Sequence, residues 1–273
     1  MAPPLSPLMT VMIRAAQAAA KSLLHDFGEV ENLQVSRKGP ADFVSTADFG
    51  AQKIIRRELQ KVRPDFAFLM EEGGTPAACN PGQERFVIDP LDGTDNYLHG
   101  IPHWAISIAV EKDGDIIAAL VFDPVKDEMY HAEKGAGAYM NNRRLRVSGR
   151  ARTEECIIGT VIPTIKRSKF KPGFQTQMEK VSSHFGCINR MGSAALDLAY
   201  VASGRFDGFW AEDLKPWDIA AGLLIVHEAG GLSSRFDGKS PPLFSGEVIS
   251  GNPSIHKSLQ SILHNLATQP SAT

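Results

Sequence analysis

Two aspartates three residues apart, Asp89 and Asp92, lie in the stretch Asp89-Pro90-Leu91-Asp92-Gly93-Thr94-Asp95-Asn96, directly after the apolar run Phe86-Val87-Ile88. That run reads as a buried strand, which would deliver both carboxylates into the turn beyond its end. Pro90 fixes its own φ and stiffens the turn. Gly93 lets backbone approach a ligand closely. Thr94, Asp95 and Asn96 are helix-capping types, so a helix is expected to start here. Carboxylates beside the free N–H groups of a helix start make a site for a divalent cation and an anion together, such as magnesium with a phosphate ester. The same residue types also build ordinary surface turns, so this stretch alone leaves both readings open. An EF-hand calcium loop is disfavoured, because the alternating acids and the terminal Glu are missing.

Three further places could supply partners. Phe66-Ala67-Phe68-Leu69-Met70 reads as a second strand, ending in Glu71-Glu72-Gly73-Gly74. Loops beyond strand ends are where α/β proteins place ligands, although two acids in a solvated turn would look the same. Ser45-Thr46-Ala47-Asp48 precedes a helix carrying Ile54, Ile55, Leu59 and Val62, ended by Pro64, and Asp48 is either its cap or a functional acid. Pro216-Trp217-Asp218 opens another helix, where Asp218 suits the helix dipole or a cation. Asn189-Arg190-Met191-Gly192-Ser193 leads into a helix through Leu198 and Val201; Ser193 is a good cap, and Gly192 and Ser193 also offer donors to a polar ligand.

The elements that must hold these residues are mixed. A first helix runs from Met9 to Phe27 at helical spacing, with Gly28 as its stop. Val35 to Val44, broken by Gly39-Pro40, reads as a hairpin or flap. From Trp104 to Val147 the chain is rich in strands, with Asp113-Gly114 as a hairpin signal. Further strands are expected at Ile157–Ile162, Phe206–Trp210 and Glu247–Ser250, and helices at Met178–Phe185 and around Leu259, Ile262 and Leu266. Arg143, Arg144 and Arg146, and the basic loop from Lys166 to Gly173, read as solvated faces.

The whole chain sets bounds. Its 273 residues are 43% hydrophobic and 22% charged, with a net charge of −2. These are ordinary values for a globular protein, without the basic excess of a general nucleic-acid or membrane surface. Cys79, Cys156 and Cys187 are widely spaced and odd in number, which reads as reduced thiols in a cytoplasmic protein. Arg14 and Lys21 interrupt the apolar N-terminal run, unlike a signal peptide. The expected organisation is one unit over residues 1–273, with a loose leader at 1–7 and a frayed tail at 268–273.

Taken in order, these stretches resemble the inositol monophosphatase family, bacterial SuhB-type branch, from about Arg14 to Leu266. The specific motifs are Asp89 to Asn96, and Pro216-Trp217-Asp218-Ile219-Ala220-Ala221-Gly222 with Glu228-Ala229-Gly230-Gly231. Met70-Glu71-Glu72 and the segment Gly192 to Tyr200 also match. The resemblance implies an α+β fold, a layered αβαβα sandwich, usually homodimeric. It implies a phosphatase dependent on Mg²⁺, two to three ions per site, sensitive to lithium and hydrolysing inositol 1-phosphate.

By resemblance Glu71, Asp89 and the Leu91 carbonyl match the ligands of one magnesium, Asp89, Asp92 and Asp218 those of a second, and a third lies near Glu71. Asp48 and Thr94 match the pair that orients and deprotonates the attacking water, while the Gly93 and Thr94 amides match holders of phosphate oxygens. Arg190 matches a basic position near substrate. Other substrates within the superfamily are fructose bisphosphate, adenosine bisphosphate and histidinol phosphate. A role as a binding protein of the transcription and ribosomal RNA machinery is the alternative of another class. One departure stands out. The acid that usually lies seven positions before the last metal-binding Asp is Ala211 here, and Glu212 follows it, so a bulge would be needed for Glu212 to substitute.

Overall fold

A computed structural model describes residues 4–29, 40–72, 80–162, 173–239 and 243–267. Strands run in two sheets among these residues. The first has the order β1 to β7: β1 Ala67–Met70, β2 Glu84–Asp92, β3 Ala105–Lys112, β4 Asp115–Asp123, β5 Glu128–Glu133, β6 Gly137–Met140 and β7 Arg143–Arg144. Only β1 and β2 pair in parallel; the rest is an antiparallel meander. The second sheet has the order β11-β12-β10-β8-β9, from β8 Ile157–Thr160, β9 Cys187–Asn189, β10 Gly208–Ala211, β11 Leu232–Ser234 and β12 Val248–Gly251.

Helices cover the outer faces and fill the space between the sheets. Helices α1 (Pro7–Gly28) and α2 (Pro40–Val62) pack together and lie on the first sheet. After the short α3 (Thr94–Leu98) come α4 (Phe174–Ser182), α5 (Ala194–Ala202), α6 (Pro216–Glu228) and α7 (Pro253–Ala267). Helices α5 and α6 pack on each other and on both sheets, and α4 and α7 cover the far side of the second sheet. The layers are therefore αβαβα, the predicted sandwich. Every residue of α5 is buried, as a helix apolar all round must be.

Strand alternation explains the layers. In β3, Ala105 and Ala109 join the core around α5 and α6, while Ile106, Ile108 and Val110 join the core under α1 and α2. In β2, Val87 faces the middle layer, and Phe86 and Ile88 face the outer one. A third core lies between the second sheet and α4 and α7, around Trp210, Ile249 and Leu259.

Several boundaries differ from the sequence expectation. Helix α1 starts at Pro7, because Ser6 accepts from Met9 N at 3.0 Å and donates to Glu133 at 2.6 Å. Ser6 is thus tied to the fold, while Pro4 and Leu5 before it are exposed. Helix α2 begins at Pro40, well before the expected start, so Asp48 lies inside the helix and does not cap it. The expected flap is helical from Pro40, and residues 35–39 lie outside the described part, as do Cys79, most of the 166–173 loop and the 268–273 tail. The helix expected at Met178–Phe185 runs Phe174–Ser182. Strands β9 and β11, three residues each, carry no alternation long enough to read.

Candidate active site

The Asp89–Asp92 segment is not a turn beyond a strand. Strand β2 continues through both aspartates, and its register against β3 shifts between them. Asp89 pairs with Ser107 and Asp92 with Ala105, so three steps on β2 match two on β3. That extra residue is a β-bulge. Side chains three apart on a regular strand point to opposite faces, and the bulge restores Asp92 to the face of Asp89. Leu91, displaced to the other face, is buried under α1 and α2. Pro90 falls inside the bulge, where a missing N–H is tolerated.

Backbone N–H groups and one hydroxyl hold the two carboxylates. Asp89 Oδ1 accepts from Leu91 N at 2.9 Å. Asp92 Oδ2 accepts from Ser193 Oγ at 2.5 Å and from Ala195 N at 2.8 Å, at the start of α5. Ser193 is also the α5 cap, with Leu196 N donating to it. The predicted cap thus exists, and its hydroxyl proton goes to Asp92.

Asp218 arrives from the middle layer, in the first turn of α6, where its Oδ2 accepts from Lys215 N at 2.8 Å. Ser107, opposite Asp89, donates to Trp217 O at 3.2 Å and fastens the start of α6 to the first sheet. Glu71 follows β1, with its N–H donating to Ile88 O. Gln52, one turn beyond Asp48 on α2, clasps the Glu72 peptide: Nε2 donates to Glu72 O at 2.5 Å and Oε1 accepts from Glu72 N at 3.1 Å. Helix α2 and the Glu71–Glu72 turn are thereby held together.

Electrostatics shows which acids share a space. Burial, then repulsion from Glu71, Asp92, Asp218 and Asp48, holds the Asp89 carboxyl well above the usual carboxylate range. Burial and Asp218 push Asp92 up to about 7, against the opposing pull of its Ser193 and Ala195 hydrogen bonds. Burial, Glu71 and Glu72 push Asp48 up to about 8. Glu71, Asp89, Asp92, Asp218 and Asp48 therefore form one acidic cluster drawn from α2, the β1 end, β2 and α6. Among the described residues no three acid, His or Cys side chains stand grouped so as to hold a metal ion as they are. The Asp89, Asp92 and Asp218 oxygens named above are instead turned to N–H and O–H donors.

The other expected positions are distributed less evenly. Thr94 Oγ1 donates to Leu91 O at 3.1 Å, and among the described residues no hydrogen bond joins it to Asp48. Asp48 Oδ1 is buried and has no hydrogen-bond partner there. Gly93 caps α3 at φ +97, and a Cβ on it would lie 3.1 Å from His103 O, so this position needs glycine. Arg190 is exposed, and its charge acts on the buried Asp197. Gly192 holds φ +94 against the side chain of Asn96.

Ala211 is buried, facing the middle layer with Phe209, and pairs with Val248 without a register shift. No bulge within β10 turns Glu212 inward. Gln177 of the outer helix α4 donates to Glu212 at 3.3 Å, and Glu212 is not among the largest influences on Asp89 or Asp92. Two contributors escaped the sequence reading. Gln52 acts through a backbone twenty residues away, which leaves no local pattern. Asp197 has both oxygens buried without a partner among the described residues, in a helix that reads as plain core.

A model of the inositol monophosphatase family matches residues 4–269. The chain belongs to the inositol monophosphatase family. An inositol-1-monophosphatase from Rhizobium meliloti is 51% identical over 258 residues, 94% of this chain and 96% of the relative. A Nus factor SuhB from Pseudomonas aeruginosa is 39% identical, over 93% and 95%. The crystal structure of the extragenic suppressor protein suhB from Bartonella henselae superposes with a TM-score of 0.85 at 46% identity, covering 94% of this chain and 98% of that one. Its acidic cluster is thus set in a fold shared with inositol monophosphatase family structures. No helix among the described residues is long and apolar enough to cross a membrane.

Proposed function

We propose that the chain is a Mg²⁺-dependent phosphomonoesterase acting on inositol 1-phosphate. One observation carries this reading: the largest charges acting on buried Asp89 come from other acids, Glu71, Asp92, Asp218 and Asp48. Like charges gathered away from water call for a cation. The donors are hard oxygens only, which suits magnesium. Glu71, Asp89, Asp92, Asp218 and the Leu91 carbonyl would hold two to three ions. Leu91 O accepts from Thr94 Oγ1, and a carbonyl has two lone pairs. Bound magnesium would supply positive charge that polarises the ester and eases deprotonation of water.

The remaining roles belong to the chain. Asp48 Oδ1 takes the proton of the attacking water. The Thr94 hydroxyl donates its hydrogen bond to Leu91 O, which leaves its oxygen lone pairs to accept from the same water. The Gly93 and Thr94 amides hold phosphate oxygens. The water oxygen bonds to phosphorus, the ester P–O bond breaks, and the leaving alkoxide takes up a proton from solvent water, to which Asp48 later returns its own. With Ala211 at the middle-layer position and Glu212 bonded to Gln177, the usual hydroxyl contact has lost its acid at that position. Broad tolerance among phosphate esters, including fructose bisphosphate, adenosine bisphosphate and histidinol phosphate, follows from that.

Phosphate release from inositol 1-phosphate, glycerol 2-phosphate and adenosine monophosphate, with Mg²⁺ and after chelation, tests the reading. Asp48→Asn should lower turnover by roughly 10²-fold or more, as loss of acid–base assistance does. Activity that survives chelation would sink it. Relatives named Nus factor support a second reading, a partner within the transcription machinery. Copurification that persists in a metal-ligand variant would separate that role from hydrolysis. A cytoplasmic homodimer sensitive to lithium completes the proposal.

A further inference from the structure

We infer that Asn96 is a positioning residue that locks the turn before α5 to the turn carrying Asp92 and Thr94; its catalytic consequence rests on the phosphatase reading above. Asn96 is the third residue of α3, behind the Gly93 cap, so capping does not explain it. Its side-chain amide nitrogen has two hydrogens, and both are used. One goes to His103 O at 2.7 Å, just before β3, and the other to Met191 O at 2.8 Å, 95 residues further along the chain. Neither carbonyl lies in a strand or helix, so the Asn96 amide supplies a tie that ladder pairing does not.

Gly192 closes the contact from the other side. It sits at φ +94, and a Cβ there would come within 2.9 Å of Asn96 Nδ2. Ser193 follows at once, and Ser193 Oγ and Ala195 N are the two donors on Asp92. Asp92 lies four residues before Asn96. The bonds therefore form a ring: Asn96 holds Met191, the Gly192 turn aims Ser193 and Ala195, and these hold Asp92. Because Asn96 holds the turn that aims these donors, while Ser107 separately ties α6 to the first sheet, its loss should loosen the donors on Asp92 while both sheets stay paired.

Asn96→Asp keeps the shape, removes both donors and sets oxygen against two carbonyls. Amide hydrogen exchange at Ala195 and Leu196 should speed up by tenfold or more, while amides of β3 and the α6 interior keep their protection. Turnover with Mg²⁺ should fall tenfold or more, and Mg²⁺ affinity measured by calorimetry on the metal-free protein should weaken. Gly192→Ala should reproduce the pattern should Asn96→Asp not fold. Combined with Asn96→Ala, which vacates the space, it should lose less than the sum of the two single changes. Unchanged exchange at Ala195 and Leu196, or faster exchange throughout the molecule, would overturn the inference. If the wild type hydrolyses no phosphate ester, the phosphatase reading fails, and exchange still decides the role of Asn96.

Discussion

At the residue scale, Asp89 is placed against its own electrostatic interest. A buried carboxylate is stabilised by opposite charge or by donors. Asp89 is 2% exposed, has one backbone donor at 2.9 Å, and is repelled by Glu71, Asp92, Asp218 and Asp48. Such a group opposes folding unless a cation, as proposed above, offsets the repulsion. Asp89→Asn keeps the acceptor for Leu91 N and removes the charge. In metal-free protein this variant should melt higher, by roughly 2–4 °C for about 1 kcal/mol of relieved repulsion in a chain of this size. Its phosphatase turnover should fall about 10²-fold or more. Calorimetric melting with chelator, beside a turnover assay with Mg²⁺, reads both effects. A lower melting temperature would show Asp89 to be a structural acid.

At the element scale, the middle layer depends on close contact between α5 and α6. A Cβ at Gly222 of α6 would come within 2.5 Å of both Cβ and Cδ1 of Leu198 on α5. The Cβ is not a flexible end, so the helices would have to separate. Gly222→Ala should cost about 1–3 kcal/mol in urea unfolding, the usual range for overpacking, despite the better helix propensity of Ala. An unchanged or raised stability would mean that Leu198 re-packs freely.

The same scale explains what the sequence made legible. Elements with a long apolar pattern, such as α1, β3 and β4, were readable because periodicity is local. The start of α2 was misplaced because Gly39-Pro40 signals a break and also suits a helix opening, so Asp48 looked like a cap. The acids were readable as residue types, and the family motifs as ordered strings. The β2 bulge was not, since it is a property of pairing with β3 at Ser107 and Ala105, a partner strand that no local pattern reveals. The layer order was likewise hidden: it depends on which faces meet, and it came from resemblance alone.

At the scale of the whole molecule, the acids come from separate layers. Asp48 rides on the outer helix α2, Asp89 and Asp92 on the first sheet, and Asp218 on the middle-layer helix α6. Repulsion between them pushes those layers apart, and a cation among them would draw the layers together. Metal binding should thus act on global stability as well as on the rate. A ligand that binds only the folded chain stabilises it by about 2.7 kcal/mol at a hundredfold excess over its Kd. For a chain of this size that corresponds to a rise of roughly 5–10 °C in melting temperature on adding Mg²⁺ to chelated protein. Asp218→Asn should remove most of the rise, because it withdraws the carboxylate proposed above to bring α6 to the ion. Glu155→Gln, on an exposed 3₁₀ turn far from these acids in sequence, should leave it intact. A melting temperature indifferent to Mg²⁺, or a rise that Asp218→Asn leaves unchanged, would refute cation bridging between the layers.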